Sequence, residues 1–225
     1  RYVTGRGPVN AIWLILSVFL LGINGIEAAA AKPTRILAFG TSLTQGYNLP
    51  PGTEFTSVLQ ARLKAKGHDV VLINAGVSGD TAAGGLARLE WTLAQPFDGA
   101  IVELGSNDAL RGLDIGQTRK NLDAVVAMLK KRGVVVLLTG MKSPRNWGPE
   151  YVSEFDAIYP ALAKKHDVLF YPFFLEGVAA NLKLNQADGI HPNEQGTQVI
   201  VRGILPYAQK LLEQIKAGPR PKLTD

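Results

Sequence analysis

Five apolar runs recur along the chain, Arg35 to Gly40, Val70 to Asn74, Gly99 to Leu104, Val134 to Thr139 and Val168 to Tyr171. They are rich in β-branched residues and Leu and show no polar alternation, which predicts strands buried on both faces. Between them the apolar positions take a helical spacing. Thr53 to Lys66 carries Phe55, Val58, Leu59 and Leu63; Thr81 to Ala94 carries Leu86, Leu89 and Leu93; Gln117 to Lys131 carries Leu122, Val125, Val126 and Leu129; Glu150 to Lys165 carries Phe155, Ile158 and Leu162. Gly67 and Gly133 sit where two of these helices should stop. A last helix is expected from about Asn193 to Lys216, with Pro206 inside it predicted to kink or locally break it. Strands alternating with amphipathic helices predict a parallel sheet covered by helices.

Polar residues gather where strands end. Ser42 follows the first strand, Asn74 to Thr81 spans the end of the second, Gly105-Ser106-Asn107-Asp108 follows the third, and Asp188-Gly189-Ile190-His191-Pro192 lies on the approach to the last helix. In a doubly wound sheet such loops converge on one edge, where ligands bind. A Ser there is a useful nucleophile only if a base takes its proton, and that base is usually a His oriented by a carboxylate. The chain has three His. His68 precedes a strand and His166 ends a helix, where the dipole alone favours it. His191 precedes Pro192, which disfavours a helical conformation, and Asp188 stands three residues earlier. The same pair could merely cap the last helix. For the oxyanion of an acyl transfer, Gly79 offers an unobstructed backbone N–H and Asn107 a side-chain amide, although both suit ordinary turns as well.

Composition narrows the setting. With 225 residues, 46% of them hydrophobic, the chain is long enough for one domain with a sizeable core. The net charge of +5 is spread over helix faces and helix ends, so no nucleic-acid partner is expected. Arg1 and Arg6, an apolar run from Ala11 to Ile23 and the tetra-alanine Ala28 to Ala31 predict a secretory leader over residues 1–31, cleaved after Ala30 or Ala31. An uncleaved anchor is the alternative; cleavage would leave no stable membrane insertion. The domain is expected over residues 32–217, followed by a frayed tail over 218–225. The chain contains no Cys, which excludes disulfides and thiolate chemistry and suits export to a bacterial periplasm or the medium.

Four blocks in order, Gly40-Thr41-Ser42-Leu43, Gly79, Gly105-Ser106-Asn107-Asp108 and Asp188-Gly189-Ile190-His191, resemble the SGNH (GDSL) hydrolase family. The runs Asn74 to Thr81, Val102 to Gly112 and Asp188 to Asn193 are similar to its subgroup of periplasmic arylesterases, acyl-CoA thioesterases and lysophospholipases. The resemblance covers about Arg35 to Leu212. It implies a flavodoxin-like, three-layer α/β/α sandwich on a five-stranded parallel sheet, and hydrolysis of small-molecule carboxylic esters or thioesters without cofactor or metal. It also implies Ser42 as nucleophile, His191 as base and Asp188 as its orienting partner, with an oxyanion hole from the Ser42 and Gly79 backbone N–H groups and the Asn107 side chain. Leu110, Met141 and Trp147, on loops after the third and fourth strands, are expected acyl-chain contacts. One position departs from the family's usual Asp, namely Thr41, which can hydrogen-bond but brings no charge; Thr41→Asp is expected to fold and to retain or raise turnover. A carbohydrate O-acetyl esterase of the same family, a catalytically impaired binding module and a nucleotide-binding flavodoxin-like protein are the competing readings. The last would leave His191 without a task.

Overall fold

The computed structural model describes residues 1, 2, 4 and 5 and residues 32–218. Nearly all of the expected leader, and the tail beyond Gly218, lie outside the described residues. The fold begins at β1 (Thr34–Gly40) and continues through α1 (Ser42–Gln45), α2 (Phe55–Ala65), β2 (Val70–Gly76), α3 (Ala82–Thr92) and β3 (Gly99–Glu103). It goes on with α4 (Ser106–Leu110), α5 (Ile115–Lys131), β4 (Val135–Thr139), a 3-10 turn at Arg145–Trp147, α6 (Pro149–Asp156), α7 (Ile158–His166), β5 (Leu169–Tyr171) and α8 (Glu194–Ala217).

The five strands are all parallel and ordered β2-β1-β3-β4-β5. Their apolar runs are buried as the missing alternation requires: Ile36, Leu37 and Phe39 of β1, Ile101 and Val102 of β3, and Leu137 and Leu138 of β4 are all within 1% of fully inaccessible. Each such side chain contributes roughly 2 kcal/mol of burial free energy. Helices α2 and α8 pack together on one face, and α3 with α5, and α5 with α6 and α7, on the other. The three-layer α/β/α sandwich anticipated from the sequence is therefore the observed architecture.

Two prolines bear on the helices expected here. Pro206 leaves α8 continuous from Glu194 to Ala217. It and Arg202, whose carbonyl loses its helical donor, both lie on the exposed side, where water can satisfy that carbonyl. The single helix expected over Glu150 to Lys165 is instead two, parted at Ala157. Pro160 has no N–H to give to the Asp156 carbonyl, so the ladder is interrupted there.

Because β1 lies between β2 and β3, the chain leaves β1 in one direction and returns on its other side. That reversal opens a crevice outside the carboxyl ends of β1 and β3. Ser42 stands at the first of these ends and Asn107 just beyond the second.

Candidate active site

Ser42 is the first residue of α1, a single turn begun by Thr41 in extended conformation and closed by Gly46 in the left-handed region at φ +87°. The turn presses close against β3. A Cβ on Gly40 would stand 2.6 Å from Glu103 Oε2 and would also strike the Thr44 hydroxyl, so only glycine fits there. Arg88 of α3 ties down the same point, donating through Nη2 to the Gly40 carbonyl at 3.0 Å and through Nε to Asp80 Oδ2 at 2.6 Å. Its guanidinium lies 4.1 Å over the Phe39 ring.

The segment before α8 returns the far end of the chain to this turn. Asp188 Oδ1 accepts the N–H groups of Ile190 (2.9 Å) and His191 (3.0 Å), and Oδ2 bonds His191 Nδ1 at 2.7 Å. These bonds, first the His191 backbone N–H, hold the Asp188 carboxyl down at about 2, so it is ionised at every pH the site would meet. With Nδ1 bound to that carboxylate, His191 Nε2 faces Ser42 Oγ at 2.9 Å. The hydroxyl, the imidazole and the carboxylate are thus in one hydrogen-bonded line. Ser42 is 8% exposed, while the His191 and Asp188 side chains are 20% and 37% exposed.

Two features missed by the sequence hold this line. Gln186 donates through Nε2 to the carbonyls of Tyr47 (2.8 Å) and Pro192 (3.0 Å), and its N–H donates to the His191 carbonyl at 2.7 Å. It thereby joins segments 139 residues apart in sequence. The Tyr47 ring covers the imidazole, with centroids 4.6 Å apart.

The expected oxyanion donors lie on the turns that follow β1, β2 and β3. The Ser42 N–H opens α1, where no intrahelical acceptor exists, and Thr41 Oγ1 takes the Leu43 N–H rather than that of Ser42. Gly79 has φ +81°, and its carbonyl is held by Arg111 Nη2 at 3.0 Å. Asn107 Nδ2 donates one hydrogen to Asp80 O at 2.8 Å, leaving its second amide hydrogen available. Next to it, Asp108 is buried and accepts from the Ala82 N–H and the Thr118 hydroxyl, which fixes α4 against α3 and α5.

A cavity of about 650 Å³ adjoins the hydroxyl. It shares Ser42, Asn107 and His191 with the site and is walled by Leu43, Leu110, Met141, Phe173, Leu175 and Ile190, with Lys142 and Arg145 but no Asp or Glu. Of the three expected acyl contacts, Leu110 and Met141 line it and Trp147 does not. Trp147 instead lies across Gly112, where it would meet a Cβ at 2.8 Å, and packs near Tyr151 with ring centroids 6.1 Å apart. His166 is bound to Asp123 at 2.6 Å and His68 donates its N–H to Leu63 O, both outside this arrangement.

Position 41 carries no charge in the sequence, yet the structure brings a carboxyl group to it. Glu103, the last residue of β3, is fully buried and accepts from the N–H and hydroxyl of both Thr41 and Thr44. A lone acid in the apolar run Val102-Glu103-Leu104 was the available signal.

The chain is similar to known proteins along most of its length. Residues 38–199 match the model of the GDSL-like Lipase/Acylhydrolase family. The chain is 38% identical over 200 residues to the Esterase TesA of Pseudomonas aeruginosa, spanning 88% of this chain and 98% of that one. It is 36% identical over 201 residues to the Thioesterase 1/protease 1/lysophospholipase L1 of Escherichia coli K12, spanning 89% and 94%. Among solved structures, that of AlinE4, an SGNH-hydrolase family esterase, superposes with a TM-score of 0.69 at 44% identity, covering 81% of this chain and 98% of that one.

Proposed function

Since the chain belongs to the GDSL-like lipase/acylhydrolase family, we propose that it hydrolyses carboxylic esters and thioesters through an acyl-enzyme on Ser42. The observation that carries this is the continuous contact from Asp188 through His191 to Ser42 Oγ, at 2.7 and 2.9 Å. The Asp188 carboxylate holds the Nδ1 proton of His191, which leaves Nε2 as the acceptor for the Ser42 proton. As Oγ attacks the acyl carbonyl, the imidazolium so formed is stabilised by Asp188. The negative charge passes to the former carbonyl oxygen, for which the Ser42 and Gly79 N–H groups and the Asn107 side-chain amide are the candidate donors. Collapse breaks the bond to the leaving oxygen or sulfur, which takes the proton from His191. Water, giving its proton to the same nitrogen, then attacks the acyl-enzyme; Ser42 leaves with that proton and the carboxylic acid is released.

The apolar cavity next to Ser42 favours an acyl chain over an acetyl group, and so the arylesterase, thioesterase and lysophospholipase type of substrate over an O-acetylated sugar. At about 650 Å³ it far exceeds what an acetyl methyl needs. Among the described residues no helix is long and apolar enough to cross a membrane. The composition of residues 1–31 supports export with removal of that segment, which N-terminal sequencing of the exported protein tests.

The functional test is a panel of p-nitrophenyl esters from two to sixteen carbons, acyl thioesters, lysophospholipids and acetylated glycans. The expected result is hydrolysis that rises from the acetyl to longer acyl esters and disappears in both Ser42→Ala and His191→Ala. Turnover surviving in Ser42→Ala, or confined to acetylated glycans, would contradict the proposal.

A further inference from the structure

The buried Glu103 carboxylate takes no part in the steps above, yet it is built into the nucleophile's own turn. In the sheet Glu103 pairs with Gly40, the residue before Thr41, which aims its side chain under α1. Its Oε2 accepts the N–H of Thr41 at 2.9 Å and the hydroxyl and N–H of Thr44 at 2.8 and 3.2 Å. The Thr41 hydroxyl lies 3.0 and 3.1 Å from its two oxygens. All four donors come from the residue just before Ser42 and the residue two after it, so the carboxylate grips both sides of the nucleophile. The Thr41 hydroxyl is also 3.4 Å from Ser106 Oγ, which extends the network to the helix that bears Asn107.

The charged and titratable groups on the surrounding elements are engaged elsewhere. Arg88 of α3 binds the Gly40 carbonyl and Asp80, Tyr159 of α7 donates to Leu104 O at 2.9 Å, Asp108 of α4 accepts from Ala82 and Thr118, and His191 faces Ser42. No salt bridge to Glu103 occurs among the described residues. A carboxylate buried without a cation is costly, and an apolar side chain at the end of β3 would avoid that cost.

We propose that Glu103 is a positioning residue for the nucleophile, its charged carboxylate holding the Ser42 turn so that Oγ stays within reach of His191 Nε2, and that turnover falls when Glu103 gains a proton. This rests on the reading of Ser42 as nucleophile. The grip is strongest when ionised, because hydrogen bonds to a carboxylate are about twice as strong as those to a neutral acceptor. Protonation converts one oxygen to a donor, so that two N–H groups and two hydroxyls compete for weaker acceptors. Burial pushes the Glu103 carboxyl up to about 7 against the pull of its four donors, which brings that change into the working range.

The test compares wild type with Glu103→Gln and Thr44→Val, measuring kcat and KM on p-nitrophenyl butyrate from pH 5.5 to 9. Glu103→Gln keeps the shape and can bond both N–H groups, but has no charge to lose. It is expected to lower kcat about tenfold with KM within about twofold, the pattern of a slightly misplaced nucleophile. In wild type, log kcat is expected to fall more steeply on the acid limb than in Glu103→Gln, because the variant lacks the proton uptake at Glu103. Thr44→Val leaves the carboxylate and removes its shortest donor, so its acid limb is expected to move to higher pH. This second variant keeps the proposal testable should the first not fold. Wild-type kcat and slope in folded Glu103→Gln, or an unmoved acid limb in Thr44→Val, would overturn it. Ser42→Ala in the same series separates the two levels: an active Ser42→Ala removes the nucleophile assignment, whereas an inactive one beside an unaltered Glu103→Gln removes only the role of Glu103.

Discussion

Asp188→Asn isolates what one proton on one nitrogen is worth at this site. The substitution keeps Oδ1, and therefore both acceptor contacts to the Ile190 and His191 N–H groups at 2.9 and 3.0 Å, so the turn before α8 should survive. What changes is the 2.7 Å contact to His191 Nδ1. An amide nitrogen there presents hydrogens, and the neutral imidazole must answer with an acceptor at Nδ1. Its proton then sits on Nε2, pointing at Ser42 Oγ, and the hydroxyl faces a donor where it needs a base. A tautomer forced the wrong way costs about ten-thousandfold in kcat in serine hydrolases with this arrangement, equivalent to about 5 kcal/mol of barrier. Stability should change little, by about 1 kcal/mol at most, because the Asp188 side chain is 37% exposed and its interactions are screened. The depressed pKa fixes the sign of its pH dependence. The contribution of Asp188 is complete above the ordinary Asp range and is lost only as the pH falls through about 2, so acid inactivation between pH 5 and 7 does not arise there. Initial rates on p-nitrophenyl butyrate, with thermal unfolding as a control for folding, test this. A folded Asp188→Asn with more than a tenth of wild-type kcat would refute the orienting role.

Asn107→Ala removes one oxyanion donor together with the bond to Asp80 O, and is expected to lower kcat by about a hundred- to a thousandfold with little change in KM. Steady-state kinetics check this, and a loss confined to KM would contradict it. Glu103 should leave a mark on stability as well as on rate. Its folded pKa is raised from 4.5 to about 7, so the native state binds the extra proton and wild-type stability is fullest below pH 4.5, then declines as pH rises through 7. The decline amounts to about 3 kcal/mol from this group. Urea unfolding at pH 5 and pH 8 should show Glu103→Gln gaining on wild type by that order at pH 8, and equal differences at both pH values would contradict the burial of a charge. Thr41→Asp puts a second carboxyl against Glu103, and the pair must share a proton. The variant is expected to fold and stay active near neutrality, as the sequence suggested, but to lose stability more steeply than wild type above pH 7 in the same unfolding experiment.

The fold was legible because parallel strands buried on both faces leave an unmistakable trace. Val134 to Thr139 and Gly99 to Leu104 offer no polar face, and helices of regular spacing lie between. Pro160 was overlooked, and the local break that Pro206 allowed does not occur. A proline's effect depends on whether the carbonyl it leaves unpaired can reach water and on how the chain packs around it, and neither appears in a one-dimensional pattern. Ser42, Asp188, His191 and Asn107 could be singled out because each sits in a short polar block directly after an apolar run or before a helix. Gln186 and Tyr47 could not, since their importance arises from contacts across the fold, and the lone acid Glu103 in its apolar run marked a position without showing its partners. Gln186 and Tyr47 meet over 139 positions, and Glu103 meets Thr41 over 62. Trp147 was placed by its loop position alone, and packing over Gly112 decided otherwise.

The account stands on Ser42 Oγ as the atom that takes the acyl group. Treating the enzyme with a p-nitrophenyl alkylphosphonate and mapping the adduct by mass spectrometry of its peptides reads that atom directly. One phosphonyl group per chain is predicted, on the peptide carrying Ser42, forming in step with loss of esterase activity, absent from Ser42→Ala and strongly slowed in His191→Ala. An adduct on another residue that tracks the loss of activity, or inactivation of the enzyme with Ser42 left unmodified, would contradict it.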